Sequence, residues 1–205
     1  MPLIAVLGGL GSGKTLFLTW QGLKYSTNPN CEVYANFHIF KPEIRLISPL
    51  DFVKLSLKTE KHKRYIILLD ELYGWLDSRC SASKVNRLLD VIGLQSRKLN
   101  MTIFYSAQLG STIDLRYREI TDIVVKCEQI PKYGFYYEVY RQTWKGIKKR
   151  KFFLPLWIAK TFWQYYDTSE IVKPIGLNKL IAELEEIENP TIKKGGKEKL
   201  KKHLS

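Results

Sequence analysis

Eight consecutive residues restrict what this chain can become: Gly8-Gly9-Leu10-Gly11-Ser12-Gly13-Lys14-Thr15. They fit the pattern G-x-x-x-x-G-K-[ST]. Upstream, Leu3 to Leu7 (Leu-Ile-Ala-Val-Leu) is a short apolar run of the kind that forms a buried parallel strand. Downstream, Leu16, Phe17, Leu18, Trp20, Leu23 and Tyr25 recur with an approximately helical period. The order is therefore strand, glycine-rich turn, helix. Glycines let the backbone curl so that successive N–H groups converge on one anion. The first turn of the helix adds free N–H groups and the positive end of its dipole. Gly8, Gly9, Leu10, Gly11, Ser12, Gly13, Lys14 and Thr15 thus form a candidate phosphate cradle. Lys14 is expected to reach the β- and γ-phosphates of a nucleotide, and the Thr15 hydroxyl to take a place on Mg²⁺.

A second stretch supports that chemistry. Tyr65-Ile66-Ile67-Leu68-Leu69 ends in the two carboxylates Asp70 and Glu71, the pattern of a Walker B strand. Asp70 is the candidate Mg²⁺ holder, directly or through water. Glu71 is the candidate to orient or deprotonate an attacking water. An acidic pair here favours water as acceptor, hence hydrolysis, over transfer to a metabolite. A buried strand that merely ends in exposed acids is the bland alternative.

Composition narrows the partners. The chain has 205 residues and a net charge of +13, with a sequence pI near 9.6, which suits a polyanionic partner but serves solubility as well. Hydrophobic residues make up 45% of the chain, enough for a real core. The three cysteines, Cys31, Cys80 and Cys127, have no metal-ligand spacing. Cys31 and Cys127 read as buried thiols in a reducing compartment. No signal peptide is expected, and no apolar run reaches the ~18 residues of a spanning helix, so no stable membrane insertion is expected.

The remaining pattern is that of a single domain over 1–190, with a core over 1–130 and an extension over 131–190. Asn28-Pro29-Asn30 is a turn, and Cys31 to Phe37 reads as a strand with Asn36 and His38 at its end. His38 reads as structural. Ser48-Pro49 starts a short helix. Ser81 or Ser83 caps a helix to about Lys98, where Arg97 reads either as a charge on the helix dipole or as a functional cation. Met101 to Ser106 is the next strand, followed by Gln108, whose amide is placed to touch a γ-phosphate or the attacking water. Ser111 or Thr112 caps a short helix, and Asp122 to Glu128 is a strand. From Lys132 to Trp144 aromatic and β-branched residues dominate, then come Lys145-Gly146 and Lys148, Lys149, Arg150 and Lys151. That is an antiparallel ribbon, which serves either as packed sheet extension or as a basic, aromatic nucleic-acid surface. Pro155 to Tyr166 and about Asn178 to Glu188 read as helices. Lys193 and Lys194 open a basic tail within 191–205, expected to be flexible.

In order, the Gly8–Thr15 loop, the Asp70-Glu71 strand end, Arg97 before the next strand and Gln108 after it resemble the FtsK–HerA superfamily of P-loop ATPases. With Trp75 to Arg79 and Tyr166 to Glu170, the chain looks most like the archaeal viral genome-packaging NTPases. The resemblance covers about residues 1–170. It implies a three-layer P-loop NTPase fold, a mostly parallel sheet flanked by helices with the phosphate-loop strand central. It also implies ATP and Mg²⁺, a homo-oligomeric ring, a pentamer or hexamer, and translocation of double-stranded DNA into a capsid through portal or vertex proteins. The setting would be the host cytoplasm, with capsid association. Arg97 then matches a finger donated to a neighbouring subunit, with Arg79 in reserve, and Gln108 a polar sensor. Filamentous-phage assembly ATPases, zonula occludens toxin-like, share the motifs but commonly carry a membrane helix. A nucleotide kinase and a non-enzymatic switch are more distant alternatives.

Overall fold

The computed structural model describes residues 2–60, 62–72, 96, 98–108, 120–167 and 170. All of them belong to the first of two compact units, Met1–Pro174; the second is Ile175–Ser205. The helices expected near 111–118 and 178–188 lie outside the described residues, as does the one expected near 81–98 except for Ser96 and Lys98, which stand in a turn.

Eight strands build one sheet: β1 Leu3–Leu7, β2 Cys31–Ala35, β3 Ile44–Leu46, β4 Arg64–Leu69, β5 Met101–Ala107, β6 Ile123–Ile130, β7 Gly134–Thr143 and β8 Gly146–Pro155. Their order across the sheet is β3-β2-β4-β5-β1-β6-β7-β8. From β3 to β6 every pairing is parallel. β6, β7 and β8 then form an antiparallel ribbon. The phosphate-loop strand β1 is interior, as expected, and β5 separates it from the acidic strand β4.

The apolar runs explain the parallel part. A strand covered on both faces needs no polar alternation. Tyr65 to Leu69 of β4 and all of β5 are buried. One face of the sheet, including Ile4, Val6, Val33, Ile66, Leu68 and Phe104, packs with Leu16, Phe17 and Leu18 of helix α1, Lys14–Ser26. The opposite parity, Ile67, Met101, Ile103 and Tyr105, is equally buried. Gly22 lets α1 approach closely: a Cβ there would lie 2.8 Å from Leu68 Cδ1. That closeness offsets the roughly 1 kcal/mol helix penalty of glycine.

Helix α2, Pro49–Leu57, starts as its Ser48-Pro49 sequence predicts, and Asp51 completes a capping box with Ser48. Helix α3, Leu156–Trp163, follows β8 directly and packs on α1, β7 and β8. The three-residue edge strand β3 is too short to show alternation in the sequence. Cys127 is buried as expected, and burial pushes its thiol up to about 12. Cys31 is only half-buried.

Candidate active site

After Leu7 the chain turns through the glycine loop into α1. Gly11 and Gly13 have φ of 69° and 89°, the left-handed region that glycine enters without penalty. Gly13 is the N-cap of α1, so no side chain caps the helix, and its first turn holds no acidic residue. The first N–H groups are therefore available to an anion. The loop rests on β7. A Cβ at Gly13 would lie 2.6 Å from Phe135 Cδ1, and the Tyr137 hydroxyl donates to Gly13 O at 3.1 Å. Lys14 curls back, its Nζ donating to Gly8 O at 3.1 Å and Gly9 O at 2.8 Å.

The acidic turn stands beside the loop. Thr15 Oγ1 donates to Asp70 Oδ2 at 2.6 Å, bringing together the two residues expected to share a cation. Ser106 Oγ donates to Asp70 Oδ1 and accepts from Glu71 N at 2.8 Å. Register places it there, because Leu69 pairs with Tyr105 and Asp70 and Ser106 come next. Asn36 grips the same turn from β2: its amide donates to Asp70 O at 2.8 Å and accepts from Asp70 N at 2.7 Å. Glu71 takes φ 48°, uncommon for a residue with a Cβ, and the Ser106 bond holds it. Burial pushes the Asp70 carboxyl up; the Ser106 and Thr15 hydrogen bonds oppose this, Glu71 adds to it and Lys14 opposes it. A cation over Asp70 and Thr15 suits that arrangement, since it restores the carboxylate's preference for the charged form. Hydroxyl and carboxylate oxygens are the hard donors that Mg²⁺ takes. Among the described residues, no group of three or more His, Cys, Asp or Glu is arranged to hold a metal.

Loop and acidic turn open on a cavity of about 390 Å³. Its far wall includes Gln129, Trp163, Tyr166, Asp167 and Glu170. The segment after α3 is tied to the chain after β2. Ile39 and Tyr166 form an antiparallel bridge, and Phe40 N donates to Tyr165 O at 2.7 Å. His38 meets Glu170 twice, through its backbone N at 2.9 Å and Nδ1 at 2.7 Å.

Gln108 follows the carboxyl end of β5 and is half-buried. Lys148, Lys149, Arg150 and Lys151 all lie exposed on β8. Lys149 and Lys151 both pair with Glu138, at 3.0 and 3.1 Å. Arg79, Arg97, Lys193 and Lys194 lie outside the described residues. Asn36, Ser106 and Tyr137 complete the network without any motif of their own, and Tyr166 joins them from the Tyr166 to Glu170 stretch that the sequence offers only as part of a resemblance. The faint sequence signals are a polar residue in an apolar strand for Ser106 and a strand-end position for Asn36.

No protein-family model matches the chain, and no curated protein matches it in sequence. The order of its strands, with a glycine loop after an interior parallel strand and an acidic turn two strands away, defines a P-loop NTPase fold. Solved structures bear this out. The chain is similar to the N-terminal domain of zonular occludens toxin from Neisseria meningitidis, at 16% identity and a TM-score of 0.57, over 82% of this chain and 100% of that one. It is also similar to the genome packaging NTPase B204 from Sulfolobus turreted icosahedral virus 2 in complex with ATP-γS, at 13% identity and 0.53, over 75% and 98%. B204, the DNA-packaging ATPase from Sulfolobus turreted icosahedral virus, matches at 13% identity and 0.54, over 73% and 96%.

Proposed function

We propose that the chain is an ATP-hydrolysing motor that moves double-stranded DNA into a viral capsid, working as a homo-oligomeric ring. The observation that carries the catalytic part is the 2.6 Å bond between Thr15 and Asp70 at the uncapped start of α1. It joins a phosphate cradle to a cation site within one cleft. Gly8 to Thr15 hold the phosphates, with Lys14 as the loop's own cation. Thr15 and Asp70 hold Mg²⁺, which supplies charge neutralisation on the phosphates. Glu71 takes the proton of the attacking water, and Gln108 orients that water or the γ-phosphate. Ser106 and Asn36 keep the acidic turn rigid, which positions Glu71. The likeness to B204 supports the packaging role and, with it, a host-cytoplasm setting at the capsid vertex.

ATP hydrolysis measured with and without duplex DNA tests the proposal. Stimulation by duplex DNA is expected. Activity indifferent to DNA favours the second reading, an assembly or secretion ATPase with a protein partner, which the match to the whole zonular occludens toxin domain supports. Among the described residues no helix is long and apolar enough to cross a membrane.

The ribbon gives a prediction about DNA. Alternation along β8 places Lys149 and Lys151 on one face, where Glu138 engages them, and Lys148 and Arg150 on the other. Among the described residues no ion pair involves Lys148 or Arg150, so these are the cations ready for phosphates. Replacing both with alanine is expected to lower the slope of log affinity against log salt by about two, the counterions of the lost contacts. DNA-free ATP hydrolysis is expected to stay unchanged. An unchanged slope removes these residues from the DNA surface and leaves the tail opened by Lys193 and Lys194 as the next region to delete.

A further inference from the structure

Four tyrosines are deeply buried: Tyr65 at 3%, Tyr105 at 1%, Tyr137 at 0% and Tyr166 at 7% relative exposure. A buried phenol normally finds a partner for its hydroxyl. Tyr65 accepts from Glu60 N at 3.0 Å, Tyr105 shares a bond with Thr121 Oγ1 at 2.7 Å, and Tyr137 donates to Gly13 O at 3.1 Å. Tyr166 is the exception, with no hydrogen bond to its hydroxyl among the described residues. Its ring belongs to the main core cluster, and its backbone is fixed by the bridge to Ile39 and by the bond that Tyr165 O accepts from Phe40 N. The side chain is held, yet its polar end is left for the cavity it lines with Lys14, Thr15, Asp70 and Glu71.

We propose that Tyr166 is a substrate contact, its hydroxyl donating a hydrogen bond to the terminal phosphate of a bound nucleoside triphosphate. The inference rests on the nucleotide reading of the cleft and adds a residue that no part of the phosphate-loop or acidic-strand pattern contains. Asp70 accepts from Thr15 and from Ser106, and among the described residues no hydrogen bond joins it to the Tyr166 hydroxyl; its effect on the phenol is through charge alone. With burial as the larger cause, that charge pushes the Tyr166 phenol up to about 12. A phenol is in any case neutral, and so a donor, near neutral pH. Its surroundings select the phosphate end of the ligand. Thr15, Asp70 and Glu71 serve the cation and the water, so a donor facing them meets the terminal phosphate rather than the base or sugar.

Tyr166→Phe tests this, since it removes one oxygen and keeps the ring. Binding is measured by calorimetry with Mg²⁺ plus a non-hydrolysable ATP analogue, and separately with Mg²⁺ plus ADP. A bond to a charged acceptor predicts that the analogue binds about tenfold more weakly, or worse, while ADP changes by less than about twofold. Equal changes for both ligands, or none for either, overturn the proposal. A thermal melt accompanies the titration. With no protein partner to lose, Tyr166→Phe is expected to melt no earlier than the parent chain, and a clear drop would show that the hydroxyl is bonded within the protein. If the parent chain binds neither ligand, the nucleotide reading fails and this contact with it. If the parent binds both and Tyr166→Phe matches it, only the contact fails.

Discussion

Lys14→Ala protein is expected to fold, to bind ATP weakly and to lose turnover by at least about 10²-fold, the scale for removing one preorganised donor to developing charge. The sequence alone gives Lys14 one duty, the β- and γ-phosphates. The structure adds a second. Its ammonium donates to the carbonyls of Gly8 and Gly9, and the residue is 9% exposed. Lys14 therefore clasps the loop whose N–H groups must converge on the phosphates. Alanine removes the charge and the clasp together, which separates this variant from one that loses charge only. A net bond contributes about 1 kcal/mol, more where one partner is charged. For a chain of this size, about 1 kcal/mol moves Tm by roughly 2–4 °C. A fluorescent ATP-analogue titration, a phosphate-release assay and a melt are the measurements. Lost turnover with a drop of a few degrees is the expected pattern. Normal hydrolysis by Lys14→Ala would falsify the site.

The parts of the molecule legible in the sequence are those whose information is local. The glycine loop, the apolar run before Asp70, the Ser48-Pro49 helix start and the Lys145-Gly146 turn each carry their chemistry within a few residues. All are found where expected. The supports of the site are different in kind. Asn36 meets Asp70 across 34 residues, Ser106 meets it across 36, and Tyr137 meets Gly13 across 124. Each contact depends on strand order and register. Ser106 lies beside Asp70 only because β5 is inserted between β4 and β1. Nothing in Tyr105-Ser106-Ala107 announces that neighbour. Tyr166 belongs to this non-local group as well, reaching the cleft only through the bridge that joins the end of α3 to the chain after β2.

Arg97→Ala is expected to bind ATP normally and to lose hydrolysis by about 10³–10⁵-fold, the range for an arginine finger. Arg97 lies outside the described residues, so this rests on its place in sequence and on the strand that follows. Ser96 is at the amino end of β5, where Met101 N donates to Ser96 O at 2.9 Å. The acidic turn and the phosphate loop are at the carboxyl ends of β4 and β1. At about 3.3 Å per residue, the length of β5 puts roughly 20 Å between the two ends. An arginine acting from the amino end would stand far from its own subunit's phosphates, and the proposed ring would let it reach a neighbour's. Glu71→Gln should fail for the opposite reason: it keeps the arginine and loses the base, costing at least about 10²-fold. Mixing the two inactive proteins should restore activity, since an Arg97→Ala subunit keeps a sound cleft and a Glu71→Gln neighbour offers it an arginine. Hydrolysis is measured against the ratio of the two, and activity is expected to peak in the mixed samples and vanish at both extremes. If the mixture stays inactive but Arg79→Ala is rescued in the same assay, the finger is Arg79. If neither variant is rescued and both hydrolyse ATP as monomers, each subunit completes its own site and the ring model is wrong.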